Sequence, residues 1–79
     1  MVACPCCGCK TLPERGKYDI CPVCFWEDDG QDDADADIAY GSSNASLSLT
    51  EARRNYHQIG ACEAAMLENV RPPREDELP

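Results

Sequence analysis

Two Cys-x-x-Cys pairs thirteen residues apart, a short polar–apolar alternation between them and a capped amphipathic stretch after residue 47 predict a small α+β domain. The first two observations describe a head of two cysteine turns joined by a hairpin, a knuckle–hairpin–knuckle unit. The third describes one or two helices on which that head packs. At 79 residues the chain makes a single domain whose core alone is marginally stabilising. One Phe, one Trp and two Met are few large apolar side chains, so something besides burial has to hold the fold.

Residues 1–26 carry six of the seven cysteines. Within them, Lys10-Thr11-Leu12 and Lys17-Tyr18-Asp19-Ile20 flank Pro13-Glu14-Arg15-Gly16. Pro-x-x-Gly marks a turn and the second run alternates polar and apolar, so the two runs are expected to pair as a short β-hairpin. Residues 27–46 are acidic and small, from Glu27-Asp28-Asp29-Gly30-Gln31 through the Ala/Asp alternation ending at Asp37. With few apolar anchors they read as a surface loop, pinned at its far end by Ile38 and Tyr40.

Residues 47–70 read as helical. Ser48-Leu49-Thr50-Glu51 fits a capping box, in which the serine oxygen accepts an early amide and the glutamate reaches back. Leu49, Ala52, Tyr56 and Ile59 then fall on one stripe, and Gly60 is a C-terminal stop. Cys62, Met66 and Val70 suggest a second, shorter helix, ended by Arg71-Pro72-Pro73 because a residue before proline is pushed out of helical geometry. Residues 71–79 are expected to fray.

The chemistry lies in the thiols. Cys4-Pro5-Cys6-Cys7 and Cys21-Pro22-Val23-Cys24 can each wrap a tight turn that aims two sulfurs at a common centre, and two such turns complete a tetrahedron suited to zinc. Cys6 and Cys9 offer a competing pair. The pairing of Cys4 with Cys7 is preferred because Pro5 presets its turn and Gly8 permits a positive φ just beyond, and Pro22 repeats the proline placement. The second turn departs from this pattern, since Phe25 rather than glycine follows Cys24. Iron in the same four-thiolate cage remains open on spacing alone. A redox dithiol normally sits at a helix start beside a strand, which neither pair does. Cys62 reads as a small buried hydrophobe, Phe25-Trp26 as a cover joining the metal site to the helix, and His57 as a surface residue. Asp33-Ala34-Asp35-Ala36-Asp37 lacks the glycine and glutamate of a calcium loop. No nucleophile–base pair or phosphate loop stands out, so the chain is not expected to be an enzyme.

The opening residues show neither the basic nor the apolar region of a secretory leader, so a reducing cytoplasm, which disfavours disulfides, is the expected compartment. No apolar run approaches the ~20 residues that span a bilayer. The net charge of -8 repels nucleic-acid phosphates and favours a basic protein partner.

Cys4-Pro5-Cys6-Cys7-Gly8, Glu14-Arg15-Gly16, the run from Ile20 to Gln31, Leu47-Ser48-Leu49-Thr50-Glu51-Ala52-Arg53, Gly60-Ala61-Cys62 and Val70-Arg71-Pro72-Pro73 together resemble the bacterial cysteine-rich CPCC family. The resemblance implies a zinc-ribbon-like module of unassigned function, with ligand roles carried to Cys4, Cys7, Cys21 and Cys24. The expectation is therefore a structural-zinc protein that binds another protein. Two alternatives stay in view: an acidic immunity or inhibitor protein against a basic toxin such as a nuclease, and a thiol redox protein.

Overall fold

The computed structural model describes residues 1–79. Two short strands, β1 (Val2–Ala3) and β2 (Lys10–Leu12), pair antiparallel with Val2 opposite Leu12 and Ala3 opposite Lys10, the register slipping between them at a bulge. One helix, α1, spans Leu49–Ile59, and three single 3₁₀ segments cover Asp33–Asp35, Ala64–Asn69 and Glu75–Glu77. The fold is thus α+β, with cysteine turns at one end and a single main helix.

The hairpin exists, but its pairing differs from the expected one. β2 pairs with the chain before the first cysteine turn, not with Lys17–Ile20. Ile20 instead bridges to Glu27 beyond the second turn, supported by Tyr18 N–H on the Asp28 carbonyl at 2.9 Å and Asp28 N–H on the Asp19 carbonyl at 3.0 Å. The reason is local. Each Cys-x-x-Cys turn reverses the chain, with Cys4 N–H on the Cys9 carbonyl and Cys21 N–H on the Trp26 carbonyl, so the segments entering and leaving one turn are already neighbours. Tyr18 at φ 62° also breaks the extended run that a strand over 17–20 needs.

Helix α1 begins and ends as the sequence dictates. Ser48 Oγ accepts from Glu51 N–H at 3.1 Å, the Glu51 carboxylate accepts from Ser48 N–H at 3.2 Å, and Gly60 closes the helix at φ 82° with its N–H on the Tyr56 carbonyl. Eleven residues are too few to be helical alone, so packing must hold them. Leu49 and Ala52 are fully buried among the cysteines and Trp26, Tyr56 is half-buried, and Ile59 is exposed.

The second helix does not form: Ala64–Asn69 is a 3₁₀ segment without a side-chain cap. Residues 71–79, expected to fray, are tied down. The Arg71 guanidinium donates to both Glu77 carboxylate oxygens at 2.8 and 2.9 Å, Arg74 N–H donates to the same carboxylate at 2.8 Å, and the Glu75–Glu77 turn lies against β2. This bidentate pair holds the Glu77 carboxyl down to about 2. The acidic loop is anchored by polar groups and not by the expected Ile38 and Tyr40, both about half exposed. Gln31 is buried and its amide donates to the Asp35 and Ile38 carbonyls, while Ala36 packs into the core and its carbonyl accepts from Thr50 N–H at 2.9 Å.

Candidate metal centre

The two cysteine turns are built alike. Cys4 N–H donates to the Cys9 carbonyl at 2.8 Å and Gly8 N–H to the Cys4 carbonyl at 2.9 Å. Seventeen positions later the pattern repeats: Cys21 N–H donates to the Trp26 carbonyl at 2.9 Å and Phe25 N–H to the Cys21 carbonyl at 2.8 Å. The turn needs a left-handed residue just after its second cysteine. Gly8 supplies this at φ 80°, and Phe25 adopts it at φ 69° despite its side chain.

Set side by side, the turns place Cys4 Sγ 3.6 Å from Cys24 Sγ and Cys7 Sγ 3.7 Å from Cys21 Sγ, with all four sulfurs within 4.8 Å of one another. All seven cysteines are free thiols. A tetrahedral ion with arms of about 2.3 Å has sulfur–sulfur edges of about 3.8 Å. The two close pairs meet that edge, whereas a disulfide needs about 2.05 Å. Four cysteines so placed can hold a metal ion. Cys4, Cys21 and Cys24 are buried and Cys7 half-buried, so the donor set is closed on three corners and reachable at one.

Further donors converge on the sulfurs. Thr11 Oγ1 lies 2.9 Å from Cys21 Sγ and Cys9 N–H points at Cys7 Sγ at 3.4 Å, an arrangement that favours charged thiolates. The four thiols also act on each other. Hydrogen bonding from Cys24, then from Cys4 and Cys7, pulls Cys21 far below the ordinary thiol range, and the sulfur of Cys21 in turn pushes Cys24 far above it. Four thiolates cannot ionise together at this separation without a cation to neutralise them.

The seventeen-residue shift also explains the cysteines outside the cage. Cys6 occupies the position of Val23 and Cys9 that of Trp26, and all four residues are buried in the core. Cys6 and Cys9 are packing groups here, not members of the four-sulfur cluster. Cys62 is buried too; burial, then the nearby Cys6, pushes its thiol up to about 12, and its N–H donates to the Cys24 carbonyl at 2.8 Å. Trp26 lies fully inside the cluster that joins the cysteines to Leu49 and Ala52, its indole N–H without a partner, while Phe25 is half-buried and faces a surface depression. His57 is exposed, its ring edge-on to Tyr56.

Sequence reasoning missed the polar clamp behind the second turn. Asp28 is fully buried; its carboxylate accepts from Arg15 Nε at 2.9 Å, Gly16 N–H at 2.8 Å and Gly30 N–H at 3.1 Å. Arg15 also donates to Asp32 and to the Gln31 carbonyl, each at 2.8 Å. A buried carboxylate survives only when its lone pairs are met in this way. The signal available was the presence of both Glu14-Arg15-Gly16 and Glu27-Asp28-Asp29-Gly30-Gln31, a cation next to one glycine and a carboxylate two residues before another.

No helix of the chain is long and apolar enough to cross a membrane. No curated protein and no solved structure matches this sequence. A family model described as cysteine-rich CPCC matches residues 2–77, nearly the whole length, and takes in both cysteine turns, the Arg15–Asp28 clamp, α1 and the Arg71–Glu77 tie. The chain belongs to the cysteine-rich CPCC family.

Proposed function

We propose that the protein is a zinc-ribbon-like module in which one structural zinc, bound by Cys4, Cys7, Cys21 and Cys24, holds a surface for binding another protein. The observation that carries the zinc is the pair of sulfur separations, 3.6 and 3.7 Å, close to the edge of a zinc–thiolate tetrahedron. Zinc suits a closed four-thiolate shell and has no redox chemistry of its own. Such a shell leaves no open position for a substrate, which supports a structural role over a catalytic one. Binding zinc here would contribute on the order of 10–16 kcal/mol, comparable to or above the whole stability of a small domain.

Protein binding is supported by the acidic surface and by the absence of a seat for chemistry in the site described. Elemental analysis with native mass spectrometry should find one zinc per chain. Stripping the ion under reducing conditions should abolish the native circular-dichroism signal and cooperative melting; a metal-free chain that keeps both would sink the structural-zinc reading. Native co-purification from the source cell should recover a protein partner, and its failure would count against the interaction role while leaving the zinc untouched.

A further inference from the structure

Two shallow depressions adjoin at Ser42 on the face beside the second cysteine turn. The first, about 200 Å³, is floored by Ile20, Phe25, Leu47 and Met66. The second, about 330 Å³, lies between Tyr18 and Tyr40. The first is smaller than the usual metabolite pocket and suits one large side chain. Apolar side chains stand exposed around them: Tyr18 is 60% exposed, Ile20 45% and Tyr40 55%. Aromatic residues and Met gathered on an exposed face are the composition of protein-binding surfaces.

Charge on this face has one sign. Glu27 and Glu63 border the first depression, Asp29 and Asp35 the second, and no Lys or Arg lines either. Arg15, Arg53 and Arg71 are all engaged with carboxylates elsewhere. The side chains of Glu27 and Glu63 enter no ion pair or hydrogen bond, although the Glu27 backbone is held by both ends of the Asn44 amide at 3.0 and 2.8 Å. The three non-glycine residues at positive φ, Tyr18 (62°), Phe25 (69°) and Ala45 (51°), all line these two depressions. The geometry of the cysteine turn explains Phe25, Tyr18 N–H is held on the Asp28 carbonyl at 2.9 Å and Ala45 N–H closes a turn on the Ser42 carbonyl at 3.2 Å; backbone strain gathers where a surface is shaped for use.

We infer that this face docks a basic segment of a partner protein, with an apolar side chain seated beside Phe25 and Lys or Arg on Glu27 and Glu63. The inference rests on the interaction-module reading above and names its surface. A second copy of this chain is disfavoured as occupant, because its own charge of -8 would meet the same sign.

The test is panning of a random-peptide phage library on the zinc-loaded full chain at physiological ionic strength, followed by NMR titration of an enriched peptide. Enriched peptides should pair an aromatic or aliphatic residue with flanking Lys or Arg, and shift changes should gather at Ile20, Phe25, Ala45 and Met66. The double variant Glu27→Lys/Glu63→Lys, checked for unchanged zinc content, should bind at least about tenfold more weakly. Ile20→Ser should weaken binding without altering its salt dependence. Peptides with no basic bias, shifts on another face, or equal affinity for the charge-reversed variant would overturn the proposed surface while leaving the interaction role standing. A library yielding no enriched peptide would also overturn the surface, and the interaction role then turns on the co-purification result.

Discussion

Residues 2–12 and 19–29 follow the same path with different side chains. Each enters extended, turns through Cys-Pro-x-Cys, takes a left-handed residue and returns beside itself. Yet the first turn is filled by Cys6 and Cys9 where the second has Val23 and Trp26. Even the carbonyls of the matching prolines are capped by different segments: Pro5 by Arg53 Nε at 2.8 Å, Pro22 by Arg71 N–H at 3.2 Å. The difference teaches that the backbone pattern is set by the sulfurs and the hydrogen bonds, while the residues between them are chosen for what packs against them. Both turns contribute to the core, and the second brings its largest side chain, Trp26, with Asp28 behind it.

The sharpest way to break this comparison is to remove a sulfur from each class. On the structural-zinc reading, Cys24→Ser should lose the ion and with it the fold, since such an ion would contribute as much free energy as a small domain's whole stability or more. Cys6→Ser should keep one ion per chain by mass spectrometry and lose about 1–3 kcal/mol in denaturant melts, the cost of a buried hydroxyl. Loss of the ion from Cys6→Ser would move the metal to the Cys6/Cys9 pair.

Next comes the asymmetry of the cores. Trp26→Ala should cost about 3–5 kcal/mol, whereas Cys9→Ala at the matching position should cost roughly 1 kcal/mol in the same assay. Equal losses would show that the two turns share the core evenly.

A third pair concerns the left-handed residues. Gly8→Ala should destabilise by about 1–2 kcal/mol from backbone strain alone, because a Cβ there meets only Pro79 Cγ at 3.9 Å. At Phe25, loss of the ring costs both variants alike, so Phe25→Gly should be more stable than Phe25→Ala by about 1 kcal/mol, the opposite of the usual order. Equal stabilities would mean that the backbone relaxes there.

Smallest is the effect at the tail. Arg71→Gln should raise amide exchange over residues 74–79 with no change in metal content. The sign with pH follows from Glu77, whose carboxyl is held at about 2 against an ordinary value of 4.5. Its contribution is complete above 4.5 and lost only as pH falls from there toward 2. On acidification, metal release should therefore precede loosening of the tail, because the thiolates need their protons removed.

What was legible in the sequence was whatever a short spacing encodes. The four clustering sulfurs, the Ser48–Glu51 cap and the Gly60 stop each follow from residues a few positions apart. The strand partner of Lys10–Leu12 was misread because alternation at Lys17–Ile20 shows a strand without naming its neighbour, and Val2–Ala3 is too short to show any period. The second helix failed for a related reason. Three apolar residues at helical spacing over 62–70 lack a cap and a buried stripe, and tertiary contacts left a 3₁₀ segment. The Arg15–Asp28 clamp and the Arg71–Glu77 tie were hidden in runs of charge that read as solvated surface. Burial of a charged residue depends on its partner, and a partner thirteen residues away leaves no periodic trace.

The return of Arg71 to Pro22 and of the Glu75–Glu77 turn to β2 has a bearing on how the protein is made. All four clustered sulfurs have been made once the ribosome has delivered residue 24, while the groups that cap their turns, Arg53, Cys62 and Arg71, follow later. The seal over the outer side of the head arrives only with residues 71–77. If the proposed zinc binds at that stage, a nascent chain paused before residue 71 would hold it with β2 uncovered, a species open to chelators and to neighbouring chains until elongation resumes.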